Sequence, residues 1–225
     1  MFLNISCSRY GDASRFVNAL MVFGALTFLL LTRPAAAESV RILALGDSLS
    51  AGYGLMLPDS FPAQLQLALM KDGIDTKVIN GGVSGDTSAG GLSRLDWALS
   101  VGVDAVIVEL GANDGLRGLE PEETLKNLDA ILVKLKQRGL PVLLTGMQAP
   151  PNLGADYGRE FASIYSRLSE KFDVTLYPFF LEGVAAIPEL NQEDTIHPNA
   201  EGVKVVVGRI LPYVKEMLED IGKKS

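Results

Sequence analysis

The sequence predicts a single three-layer α/β/α domain, and three observations point to it. Short apolar runs alternate with longer amphipathic stretches from residue 40 onward. Most of those runs are apolar throughout, and the first three each end in a small, polar, glycine-rich loop. Continuous apolarity marks strands buried on both faces, hence a parallel sheet covered by helices on both sides.

The elements follow in order. Val40 to Gly46 (VRILALG) is a β-branched and aliphatic run closed by glycine, a buried strand. After a loop containing Gly52, Gly54 and Pro58, Ser60 is placed to cap a helix running to about Lys71. Thr76 to Asn80 is a second strand, Thr87 to Ser100 a helix, and Asp104 to Leu110 (DAVIVEL) a third strand. Pro121 with Glu122 and Glu123 suits a first helical turn, which tolerates proline and favours acids. Leu125, Leu128, Leu132 and Leu135 then line one helical face as far as Gly139. Pro141 to Gly146 is a fourth strand, residues 158–171 a helix, and Val174 to Tyr177 a short fifth strand. Val203, Val207, Ile210, Val214, Met217 and Ile221 recur at helical spacing, so a long helix closes the domain.

The first 37 residues read differently. Arg9 and Arg15 precede 13 apolar or small residues, Ala19 to Leu31, and Ala35-Ala36-Ala37 offers a small-residue cleavage site. That order is expected of a secretory signal peptide, residues 1–37, ahead of one domain at 38–225. The competing reading is an uncleaved membrane anchor, but a spanning helix needs about 20 apolar residues. Cleavage near Ala37 implies a periplasmic or secreted protein with no stable membrane insertion. Removing those 37 residues from 225 leaves 188, with 17 basic and 26 acidic side chains and a net charge of −9. Such a balance disfavours nucleic acid and anionic membrane as partners, and nothing in the sequence argues against a monomer.

Few chemistries pass the residue census. Cys7 is the sole cysteine and lies in the leader, and His197 is the sole histidine. No thiolate nucleophile, disulfide or zinc site is expected in the domain. No loop has the spaced acids of a calcium site, so neither metal nor cofactor is implied. Ligands of open parallel sheets bind beyond the carboxyl ends of the strands, where this chain carries Gly46-Asp47-Ser48, Gly82-Val83-Ser84-Gly85 and Gly111-Ala112-Asn113-Asp114. Asp194-Thr195-Ile196-His197 precedes the last helix. Each segment alone is ordinary turn chemistry. Together they supply a hydroxyl, an imidazole, an acid to orient it and extra hydrogen-bond donors.

In these blocks the chain resembles the GDSL, or SGNH, family of serine hydrolases. GDSLSAGYG (46–54), VSGDTSAGGLSRL (83–95), ELGANDGLRG (109–118) and DTIHPNAEG (194–202) carry the likeness. It is nearest to a periplasmic branch of multifunctional acyl-CoA thioesterase I, lysophospholipase L1 and arylesterase proteins. The resemblance implies a central parallel, flavodoxin-like five-stranded sheet and an esterase acting on aryl or alkyl esters, thioesters or lysophospholipids.

It also implies a Ser48–His197–Asp194 triad and an oxyanion hole made of the Ser48 and Gly85 amides and the Asn113 side chain. The physical reading agrees. A serine hydroxyl needs a positioned base, of which His197 is the only imidazole, and glycine lets backbone approach closely. Asp47 is expected to brace the loop. In the resembling enzymes the loop at 147–157 borders the acyl groove, so Met147, Leu153 and Tyr157 are candidate substrate contacts, or else packing residues. Two alternatives stay open: a carbohydrate acetylesterase using the same residues, and a non-catalytic phosphate- or nucleotide-binding module. A phosphate-binding lysine is absent from all three glycine-rich loops.

Overall fold

Five parallel strands form where the apolar runs stand: β1 (Val40–Gly46), β2 (Thr76–Gly82), β3 (Ala105–Glu109), β4 (Val142–Thr145) and β5 (Thr175–Tyr177). The computed structural model describes residues 39–222. The expected leader lies outside them, and no helix among the described residues is long and apolar enough to cross a membrane. Every residue of β3 and β4 is buried, as strands covered on both faces must be.

The strand order is β2-β1-β3-β4-β5. The chain therefore leaves β1 toward one side for β2 and returns to the other side for β3, placing the switch point beside β1. Register sets the strand ends level, with Gly46 opposite both Gly82 and Glu109. The three glycine-rich loops thus leave one edge of the sheet together.

Among the described residues seven α-helices accompany the strands: α1 (Ser48–Ala51), α2 (Phe61–Lys71), α3 (Ser88–Leu99), α4 (Ala112–Leu116), α5 (Pro121–Gln137), α6 (Ala155–Phe172) and α7 (Ala200–Gly222). On α5, Leu128, Leu132 and Leu135 are buried in the core, and Leu125 packs against it. On α7 the stripe from Val203 to Met217 is buried likewise, with Ile221 at its margin. Each such aliphatic side chain contributes about 1.5–3 kcal/mol by leaving water. One local expectation fails. Ser60 stands at the start of α2 but makes no side-chain cap; its hydroxyl donates instead to Leu57 O at 2.8 Å, and Pro62 in the first turn has no N–H to cap.

Candidate active site

The turn after β1 is built around a buried acid. Asp47 stands at the N-cap of α1, and its Oδ1 accepts from Leu49 N at 3.0 Å. Gly52, in the left-handed region at φ 82°, ends the helix after one turn. Ser48 opens that helix and is half-buried. Its N–H belongs to the first-turn amides that have no intrahelical acceptor. Gly46 admits no side chain, because a Cβ would collide with the Ser50 hydroxyl and the Glu109 carboxyl group.

The sole histidine arrives from 149 residues along the chain. The segment before α7 is folded on itself by an antiparallel bridge between Asn191 and Pro198 and by Gln192 N donating to His197 O at 2.8 Å. Within it Thr195 adopts φ 63°, a strained conformation for a β-branched residue. That bend turns Asp194 back on the chain, where its Oδ1 accepts from the Ile196 and His197 amides at 3.0 Å each. Asp194 Oδ2 lies 2.6 Å from His197 Nδ1. The His197 backbone N–H and then its ring hold the Asp194 carboxyl down at about 2. Asp194 is therefore ionised near neutrality and accepts a hydrogen bond from His197 Nδ1–H, leaving Nε2 as acceptor. Nε2 stands 2.9 Å from Ser48 Oγ. The Tyr53 ring lies against the imidazole with centroids 4.6 Å apart, and Gln192 Nε2 donates to Tyr53 O at 2.7 Å, tying the two loops.

The other two loops converge beside Ser48. Asn113 Nδ2 donates to Asp47 Oδ2 at 3.0 Å, which orients the amide and spends one of its two N–H groups. Gly85, at φ 85°, has its carbonyl held by Arg117 Nη2 at 2.8 Å. Asp114 fastens the two loops to each other: its carboxylate accepts from Ser88 N at 2.8 Å, from the Ser88 hydroxyl and from Thr124 Oγ1 at 3.1 Å.

Sequence reasoning singled out neither Asp114 nor Glu109, a fully buried acid at the end of β3. The available signal was an acid at the tip of an otherwise apolar strand. Burial pushes Asp47 up to about 6 and drives Glu109 well above the ordinary range, where the Asp47 charge adds to the effect. Among the described residues no cluster of three or more His, Cys, Asp or Glu side chains is placed to hold a metal ion.

The three candidate substrate contacts separate. Leu153 is exposed and faces Gly118, and Tyr157 is half-buried with its hydroxyl donating to Leu119 O at 2.6 Å, so both lie against the segment following α4. Met147 is a correction. It is 2% exposed and belongs to the core. Gly146 is bonded to Tyr177 O and Phe180 N, which draws the chain along β5 and turns Met147 inward.

Comparison with known proteins identifies the family and the fold. Residues 44–205 match the GDSL-like lipase/acylhydrolase family. Esterase TesA of Pseudomonas aeruginosa is 40% identical over 203 residues, covering 90% of this chain and all of that protein. Thioesterase 1/protease 1/lysophospholipase L1 of Escherichia coli K12 is 43% identical over 175 residues, 77% of this chain and 83% of that one. The crystal structure of AlinE4, an SGNH-hydrolase family esterase, superposes with a TM-score of 0.68 at 52% identity, covering 80% of this chain and 97% of that chain. The chain belongs to the GDSL-like lipase/acylhydrolase family and has the SGNH-hydrolase fold.

Proposed function

We propose that the protein hydrolyses carboxylic esters in two acyl-transfer steps on Ser48, with His197 as general base and then acid and Asp194 as its orienting partner. That the chain is an SGNH-type ester hydrolase follows from its family. The residue roles rest on one observation: Ser48 Oγ, His197 and Asp194 form a continuous line of hydrogen bonds at 2.9 and 2.6 Å.

Ser48 Oγ attacks the carbonyl carbon as its proton passes to His197 Nε2. The ionised Asp194 stabilises the imidazolium. Negative charge on the carbonyl oxygen meets the Ser48 N–H, the Gly85 N–H and the second N–H of Asn113 Nδ2. Collapse expels the leaving alkoxide, phenoxide or thiolate, which takes the proton from Nε2. Water then repeats the sequence on the acyl-enzyme, releasing the acid and restoring Ser48.

The substrates we assign are aryl and alkyl esters and lysophospholipids, with thioesters accessible to the same chemistry. Relatives named esterase and thioesterase/lysophospholipase support that range. The carbohydrate acetylesterase reading has no comparable support. We assign Leu153 and Tyr157, which lie against the segment following α4, to the border of the acyl chain. We further propose that the enzyme works as a monomer outside the cytoplasm, after loss of the leader near Ala37, on small-molecule esters.

The test is covalent labelling by a fluorophosphonate followed by peptide mapping. The label is expected on Ser48 and absent from Ser48→Ala. A label on another serine, or unchanged hydrolysis of p-nitrophenyl esters by Ser48→Ala, removes the assignment. Esters of increasing acyl length, run beside acetylated sugars, then define the substrate.

A further inference from the structure

Glu109 has no part in the chemistry above, yet it is wholly buried directly beneath it. Its Oε2 accepts three hydrogen bonds, all from the turn that carries Ser48: Asp47 N at 3.2 Å, Ser50 N at 3.2 Å and Ser50 Oγ at 2.8 Å. Two of these anchors are the backbone amides on either side of the Ser48–Leu49 pair. Its other oxygen, Oε1, is buried with no hydrogen-bond partner among the described residues. We propose that Glu109 is a positioning residue for Ser48, acting as a neutral carboxylic acid whose Oε2 pins the nucleophile turn.

The neutral form follows from the surroundings. An ionised Glu109 would leave a charged, buried Oε1 with no donor among the described residues, at a cost of several kcal/mol. Its acidic and phenolic neighbours are Asp47 on the turn and Tyr165 on α6, neither of them a cation. Arg94, which donates to Gly46 O, is already paired with Asp86. With the proton on Oε1, Oε2 is a carbonyl oxygen facing three donors, and burial favours this state. Neutrality also matters to the reaction. The Asp47 carboxylate already sits under the position where the oxyanion forms, and a second negative charge there would oppose it.

This inference rests on Ser48 being the nucleophile, and its test keeps the two claims apart. Wild type, Glu109→Gln, Glu109→Ala and Ser50→Ala are compared for kcat and KM on p-nitrophenyl butyrate, for the rate of Ser48 labelling by a fluorophosphonate, and for melting temperature between pH 5 and 9. Glu109→Gln is expected within about threefold of wild-type kcat, because its amide oxygen accepts the same three bonds. Glu109→Ala loses about 30- to 100-fold in kcat and in labelling rate, with little change in KM, since only the placement of the nucleophile suffers. Ser50→Ala, which removes one anchor, loses about 3- to 10-fold.

Glu109→Gln also gains stability relative to wild type as the pH rises, because only the wild type must keep a proton that its unfolded chain releases. Equal inactivation by Gln and Ala overturns the neutral acid. Wild-type kcat in both Glu109→Ala and Ser50→Ala overturns the positioning role. A stability gap that does not change with pH overturns the retained proton. If Glu109→Ala does not fold, the Gln and Ser50 variants decide. Absence of label on wild-type Ser48 overturns the nucleophile itself.

Discussion

The two ends of the proposed catalytic line are held in opposite ways. Ser48 rests on a buried floor, where Asp47, Ser50 and Glu109 are almost without solvent. His197 is held by a surface segment, with Asp194 at 37% side-chain exposure and bonded to the backbone of its own loop. The same residue type therefore departs from its ordinary value in opposite directions, with Asp47 raised to about 6 by burial and Asp194 lowered to about 2 by amide donors. The proposed nucleophile is half-buried above a core floor, while the proposed base is fitted with a solvated, ionised acid.

The largest expected effects fall on the line itself. Ser48→Ala and His197→Ala should each lower kcat by at least about 10⁴, and Asp194→Asn by a comparable factor through the wrong tautomer. Because the hydrogen bonds of Asp194 among the described residues stay within its own loop, its replacement should lower the denaturant midpoint only modestly, by the contribution of those solvated bonds. A large loss of stability would show that the His197 segment is not the independent surface unit described above. Asn113→Ala comes next, with about 10²–10³ lost in kcat as one donor to the oxyanion disappears. Steady-state kinetics at saturating ester measures it.

The two acids should then separate by pH. Asp194, with a lowered pKa, adds stability above its unfolded value near 4, and that stability disappears as the pH falls toward 2. Asp47, with a raised pKa, acts in the opposite sense: its contribution is greatest below pH 4 and is lost as the pH rises through about 6. Melting curves of Asp194→Ala should therefore flatten the acid limb, and those of Asp47→Asn the segment between pH 4 and 6. The smallest effects on turnover lie in the 147–157 loop. Leu153→Ala should change KM for a long acyl ester by only a few-fold, whereas Met147→Ala should cost about 2–5 kcal/mol of stability. A change in chain-length preference in Met147→Ala without destabilisation would return that residue to the substrate side.

Much of this was readable in the residues. Continuous apolar runs such as AVIV at 105–108 announce buried parallel strands because no helical or one-faced pattern competes with them. The helix starting at Pro121 is legible for the same reason, its leucines falling on one face. Scarcity made the polar constellation visible, since a single imidazole admits a single base. What escaped was tertiary. Nothing local distinguishes Glu109 from a solvent-facing strand end; only the register against Gly46 puts it beneath the nucleophile turn. Asp114 reads as a turn residue until Ser88 is brought to it from the preceding loop. Met147 follows a strand and precedes two prolines, which reads as exposed loop, and the bonds of Gly146 to the chain beyond β5 turn it inward.

The 149 positions between hydroxyl and imidazole have a consequence for biogenesis. Ser48 is translated early and His197 late, with four of the five strands between them. Nascent or truncated chains ending just before residue 197 contain every strand but not the proposed base, so on the proposed mechanism hydrolytic competence waits for the segment that carries His197. Recovered turnover after denaturation is therefore a readout of complete refolding, insensitive to partially assembled forms.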